Sequence, residues 1–278
     1  MKKEAKSKHS KKEFAALVSM SIPEVVSDLE IGNEIWFDDG KIGGVVVDTF
    51  NEYVTIRVTK ASIKGTKLKQ EKGINLPGTQ LHLPSLTEED LGYLPFIVQY
   101  ADIVGYSFVR TASDVRHLIQ ALSDLNRMDI GLVLKIENKE SFNNLPDLLL
   151  TAMSWSNIGV MIARGDLAVE LGAERISEVQ EQILWVCEAA HIPVIWATQI
   201  LENLAQTGLA TRAEITDASM SVRAECVMLN KGPNIMETIK TLLNILGRME
   251  AHQNKKQGTL RQLSFATDFF KKGANRFK

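Results

Sequence analysis

The string Lys135-Ile136-Glu137-Asn138 sets an ammonium and a carboxylate two residues apart at the end of an apolar run. Alternation along a strand points both side chains to the same face, so opposite charges sit side by side. Two readings follow. One is an ion pair closing the strand, worth ~1 kcal/mol or less where exposed. The other is a carboxylate that holds a metal ion while the lysine neutralises charge on a transferring group. Ala163-Arg164-Gly165-Asp166 ends the next apolar run. Gly165 lets the backbone bend sharply and brings peptide N–H groups close to an anion. By itself a Gly-Asp pair is a turn or a helix cap. Together with Glu137, Asp166 makes a two-carboxylate site of the kind Mg2+ accepts, its other ligands coming from substrate and water.

Thr198, in Ala197-Thr198-Gln199, is a hydroxyl at the end of a further apolar run, where it either bonds a neighbouring carbonyl or faces the same site. Arg212 and Glu214 in Thr211-Arg212-Ala213-Glu214 are expected to form an ion pair bracing the last helix. Asp38-Asp39-Gly40 reads as a hairpin turn, since Asp-Gly supplies the positive φ angles such turns need. Lys72, in Glu71-Lys72-Gly73-Ile74-Asn75-Leu76-Pro77-Gly78, is either a solvated surface lysine or a basic side chain that reaches a nucleotide phosphate.

Positioning these groups requires strands. Apolar runs recur at βα-unit spacing, around Ile103-Val104, Leu132-Val133-Leu134, Val160-Met161-Ile162, Val194-Ile195-Trp196 and Cys226-Val227. Between them, Val115-Leu118-Ile119-Leu122 and Ile176-Val179-Ile183-Val186 carry apolar residues three and four apart, predicting helices outside a parallel sheet. Arg110, Lys135, Glu137, Arg164, Asp166 and Thr198 all fall at carboxyl ends of these strands, the end that carries the active site in a parallel α/β barrel. Upstream, β-branched alternation in Val45-Val46-Val47 and Tyr53-Val54-Thr55-Ile56-Arg57-Val58, broken by glycines, predicts a small all-β module. Pro77-Gly78 and Pro84 mark the connection, and Thr87 before Glu88-Glu89-Asp90 reads as the N-cap of the next fold.

A formal charge of −2, from 32 basic and 34 acidic residues, gives no global field that would favour nucleic acid or an anionic membrane. No apolar run of the ~18 residues a span needs is present. Cys187 and Cys226 lack metal-ligand spacing and are expected to be buried free thiols, which suits a reducing, cytoplasmic location. The basic run at residues 2–12 meets no small-residue cleavage site and is expected to be a frayed or helical start.

The order and spacing of Lys135-Ile136-Glu137-Asn138, Ala163-Arg164-Gly165-Asp166-Leu167, Pro193-Val194-Ile195 with Ala197-Thr198-Gln199, and Thr211-Arg212-Ala213-Glu214 closely resemble the pyruvate kinase family. The match extends upstream through Ser107-Phe108-Val109-Arg110 and Lys72-Gly73-Ile74-Asn75-Leu76-Pro77-Gly78 to Asp38-Asp39-Gly40. The resemblance implies an α/β fold: a partial (β/α)8 TIM-type barrel, strands four to eight, preceded by a small all-β lid domain. The expected division is an N-terminal helical or frayed segment at 1–28, a partial β-barrel lid at 29–80, the second barrel half at 81–256 and a C-terminal tail at 257–278. It also implies roles in glycolytic phosphoryl transfer from phosphoenolpyruvate to ADP, giving pyruvate and ATP. Lys135 would stabilise the phosphoryl group in flight, and Glu137 and Asp166 would hold Mg2+ or Mn2+. Backbone N–H groups of Ala163-Arg164-Gly165-Asp166 would receive the substrate carboxylate. Thr198 would lie at the pyruvate methyl side, and Lys72 would reach the nucleotide.

Leu229-Asn230-Lys231-Gly232-Pro233-Asn234 departs from the family's Ser-Gly-Glu-Thr string, resembling an atypical branch. Residues that would match the family's first three barrel strands, including its K+ ligands, are not visible. Sugar-phosphate regulation through the family's C-terminal domain is not expected. These departures imply either a homo-oligomer or a second chain supplying the missing barrel half. The alternative function is a non-catalytic homologue that binds metal and a small keto acid, or acts as a regulatory or partner subunit.

Overall fold

The computed structural model describes residues 16–253. The chain forms two compact units, divided between Leu83 and Pro84. The expected C-terminal tail at 257–278 and most of the expected N-terminal segment lie outside the described residues. Its last part, Pro23–Asp28, is a 3-10 helix begun by proline.

The first unit holds four strands, β1 (Glu34–Phe37), β2 (Ile42–Thr49), β3 (Val54–Lys60) and β4 (Ile74–Asn75), in the order β3-β2-β1-β4. All three pairings are antiparallel. Asp38, Asp39 and Gly40 turn the β1–β2 hairpin with φ of 52°, 55° and 80°, the left-handed backbone read from the Asp-Gly sequence. Gly43 and Gly44 let β2 twist closely over its neighbours, because a Cβ at either would stand 2.5 Å from Trp36 or Ile56. Val25, Leu29, Ile35, Phe37, Val46 and Leu76 form a small core.

The second unit is α/β. Strands β5 (Ile103–Tyr106), β6 (Gly131–Ile136), β7 (Ile158–Ala163), β8 (Val194–Ala197) and β9 (Cys226–Val227) pair in sequential order, all parallel. Helices α1 (Glu88–Tyr100), α2 (Ala112–Asp124), α3 (Lys139–Asn143), α4 (Leu145–Ala152), α5 (Arg164–Leu171), α6 (Ile176–Ala189), α7 (Glu202–Thr207), α8 (Arg212–Met220) and α9 (Ile235–Gln253) separate or follow them. A parallel ladder needs such crossovers, and the helices explain the nearly continuous burial of β6 and β7. The apolar stripes close on the sheet as their spacing predicts: Val115, Leu118 and Leu122 of α2, and Val179, Ile183 and Cys187 of α6, are all buried. Each full burial of a leucine contributes roughly 2 kcal/mol. Thr87 caps α1 through a reciprocal box with Asp90.

The edges differ. Cys187 is buried, but Cys226 is exposed, against expectation. It lies in the two-residue edge strand β9, which is hydrogen-bonded only to β8, so the apolar run there has less to cover it. At the other edge, Ile103 of β5 is exposed, as are Tyr93, Phe96 and Tyr100 on one face of α1. No helix among the described residues is long and apolar enough to cross a membrane.

Candidate active site

Lys135 is the penultimate residue of β6, and Glu137 follows the strand's end. Their alternation brings Lys135 Nζ within 2.6 Å of Glu137 Oε1. The same ammonium donates to Ser107 Oγ at 2.6 Å, from the turn after β5. Glu137 is only 3% exposed, so this is not the solvated surface pair of the bland reading. Its other oxygen accepts the Phe108 N–H at 2.6 Å, a contact that places Phe108 at φ 56°. Burial pushes the Glu137 carboxyl above its ordinary value. Lys135 and the Phe108 amide pull it down, and the charge of Asp166 pushes it up further.

Side chains from the following segment hold the β5 turn in place. Asn138 donates to Val109 O at 3.3 Å while its own oxygen caps α3 through Ser141 N–H at 2.8 Å. Asn144 donates to Arg110 O at 3.0 Å. Arg110 itself contacts Ser85 Oγ at 3.3 Å. Ser107 and Phe108 were part of the recognised string, but nothing in their types announced these contacts, which span 28 and 29 residues.

The segment Ala163-Arg164-Gly165-Asp166 is not an open loop: β7 ends at Ala163 and α5 starts at Arg164. A helix leaves its first N–H groups without intrahelical partners, and Ala163 supplies no side-chain cap. Gly165 N–H instead donates to Thr198 Oγ1 at 2.9 Å. Thr198 therefore accepts from an amide and does not bond a carbonyl through this contact. It stands at φ 66°, followed by Gln199 at 58° and Leu201 at 48°. Left-handed backbone at a β-branched residue is strained, and strain of this kind persists only where surroundings enforce it.

Arg164 provides that enforcement. Its side chain turns toward the end of β8, donating to Ala197 O at 2.9 Å and Thr198 O at 2.6 Å, and it pairs with Asp217 Oδ1 at 2.5 Å. The guanidinium also lies 5.1 Å from the ring centroid of buried Trp196. Asp217, 53 residues away, carried no local signal.

Arg212 and Glu214 do not form the expected ion pair. Glu214 accepts the Thr211 N–H at 2.9 Å while Thr211 Oγ1 accepts the Glu214 N–H at 3.2 Å, a capping box at the start of α8. Lys72 belongs to the first unit, where Nζ lies 3.0 Å from Asp38 Oδ1. Lys41 reaches the other oxygen at 3.1 Å. The two lysines, Lys72 foremost, hold the Asp38 carboxyl below its usual range.

The donor set suits a hard divalent cation. Glu137 and Asp166 are close enough to raise each other's cost of ionisation, and a cation relieves that repulsion. Among the described residues no group of three or more His, Cys, Asp or Glu side chains could form a cage. Two carboxylates are nevertheless within what Mg2+ takes from a protein.

Residues 1–234 match the family model for the pyruvate kinase barrel domain. The chain is 36% identical over 247 residues to a pyruvate kinase of Bacillus licheniformis, an alignment covering 86% of this chain and 41% of that relative. It is 37% identical over 221 residues to one of Kluyveromyces lactis, covering 77% and 42%. With one of Geobacillus stearothermophilus it shares 34% over 240 residues, covering 84% and 40%. The chain thus spans about two-fifths of the length of the curated relatives it matches.

Proposed function

The chain belongs to the pyruvate kinase family, and on that premise we propose that it serves phosphoryl transfer from phosphoenolpyruvate to ADP, giving pyruvate and ATP in glycolysis. The observation carrying this reading is the cluster at the carboxyl ends of β5 to β8, where Lys135 Nζ lies 2.6 Å from Glu137 and the charge of Asp166 acts on the same carboxyl. Phosphoryl transfer asks little covalent chemistry of the protein and much positioning and charge neutralisation.

In this proposal Glu137 and Asp166 hold Mg2+ or Mn2+, which when bound would offset negative charge on the transferring group. Lys135 uses two of its three N–H donors on Glu137 and Ser107, and its third is assigned to a phosphoryl oxygen. Ala163, Arg164 and Gly165 contribute the turn into α5, whose amides take the substrate carboxylate. The Arg164 side chain is spent on β8, so its part is played by backbone. Thr198 accepts from Gly165 N–H, which leaves its own proton free to be aimed at the enolate carbon side of the substrate. Lys72 is proposed as the nucleotide-phosphate contact and would have to exchange Asp38 for the phosphate. A K+ site is not assigned to any residue.

A second reading is favoured by one observation: the exposed edge of β5 with Tyr93, Phe96, Tyr100 and Ile103. Further strand-bearing sequence would cover that edge, from a longer chain, another copy or a partner supplying the remaining barrel strands. Without it the chain is a binding or regulatory homologue. Pyruvate formation from phosphoenolpyruvate, ADP and Mg2+ above a no-enzyme control, abolished by Asp166→Ala, supports the catalytic reading. Metal-dependent phosphoenolpyruvate binding with no pyruvate formed assigns the chain to the second reading, and neither binding nor product rejects both.

A further inference from the structure

Glu170 lies on α5 one helical turn beyond Asp166, and residues four apart occupy the same helix face. Its carboxylate reaches out of α5 to the backbone N–H of Lys139, the first residue of α3. Helices α3 and α5 are in contact. Asn138, the N-cap of α3, spends its side-chain oxygen on Ser141 N–H. The Lys139 N–H is another of the donors a helix start leaves without an internal acceptor, and Glu170 supplies the acceptor from a different element. Lys139 is two residues beyond Glu137, and Glu170 is four beyond Asp166. One side chain thereby ties together the two short segments that carry the candidate cation ligands.

We propose that Glu170 is a positioning residue that fixes the separation of Glu137 and Asp166 by clamping the start of α3 to α5. This rests on the reading of those two carboxylates as cation ligands. Burial first, and then the charge of Asp166, pushes the Glu170 carboxyl up to about 7. The group therefore keeps its place at a cost that an exposed glutamate on the outer face of α5 would not bear. Residues that orient metal ligands without touching the ion typically change affinity by about 10–100-fold when removed.

The test uses the whole chain in three forms, wild type, Glu170→Ala and Glu170→Gln, with Mn2+ binding followed by loss of the free-ion EPR signal. Alanine removes the clamp, while glutamine keeps a carbonyl acceptor for the Lys139 N–H. The expected result is a loss of about 10-fold or more in Mn2+ affinity for alanine and substantial rescue by glutamine, with both variants keeping wild-type circular dichroism. Equal affinity for wild type and alanine, or equal loss in alanine and glutamine, would overturn the clamp. Amide exchange at Lys139 reads the same contact without metal and is expected to quicken in alanine only. Unchanged exchange overturns the proposal even if Mn2+ binds. If wild type binds no Mn2+ while Lys139 exchange responds as described, the clamp stands and the assignment of Glu137 and Asp166 as ligands falls.

Discussion

Replacing Arg164 tests how the strained turn after β8 is held. Arg164→Ala removes charge-assisted hydrogen bonds to Ala197 O and Thr198 O, each worth about 1.5–3 kcal/mol. It also removes the stacking over Trp196, worth on the order of 1 kcal/mol. The Asp217 pair adds little, because that carboxylate is 36% exposed and keeps its water. Water entering the vacated space recovers part of the loss, so the expected destabilisation is about 3–5 kcal/mol, at the upper end of what single substitutions do. Arg164→Lys has no planar fork and should lose roughly half as much. Urea denaturation followed by tryptophan fluorescence measures both. Because the two carbonyls pin Thr198 at φ 66°, the lysine variant should also bind phosphoenolpyruvate with Mg2+ more weakly than wild type while remaining folded. An alanine variant within about 1 kcal/mol of wild type, with unchanged ligand binding, would refute Arg164 as the brace.

Gly232→Ala should destabilise by about 1–3 kcal/mol, since its Cβ would stand 2.4 Å from Ala205 O, a backbone atom that cannot step aside; a melting temperature equal to wild type would contradict this. Thr211→Ala should cost about 1 kcal/mol by opening the α8 capping box, readable in the same urea assay. Glu170 gives a pH signature. Its folded-state carboxyl titrates near 7 against 4.5 ordinarily, so the unfolded chain releases this proton first. Its contribution to stability is therefore greatest below about 4.5, falls as pH rises toward 7 and is level above. Glu170→Gln removes that slope. The stability of the variant relative to wild type should rise between pH 5 and pH 8 by on the order of 1–3 kcal/mol, and a constant difference would show that Glu170 titrates normally.

What could be read from sequence depended on the span of each interaction. The period of two placed Lys135 beside Glu137, and the Asp-Gly signal placed the β1–β2 turn, because both are local. Thr211-Arg212-Ala213-Glu214 was equally local but was read by charge. Residues two apart on a helix do not face each other, whereas a threonine followed three later by glutamate is a capping box, which is what formed. The direction of the Arg164 side chain, the Ser107 contact to Lys135 and the Glu170 clamp join residues far apart in sequence. They depend on strand order and on how far α5 and α3 approach, which no window of residues encodes. Cys226 was misjudged for a related reason: an apolar run marks a strand, but whether the strand is central or at an edge is decided by pairing.

Titration of phosphoenolpyruvate into the Mg2+-saturated chain by calorimetry, run in parallel on Lys135→Met, tests most directly whether Lys135, Glu137 and Asp166 form one binding site. Saturable heat and a thermal shift are expected for wild type, with both strongly reduced in the folded Lys135→Met variant. No heat and no shift in wild type, or identical curves for the two proteins, would contradict the site.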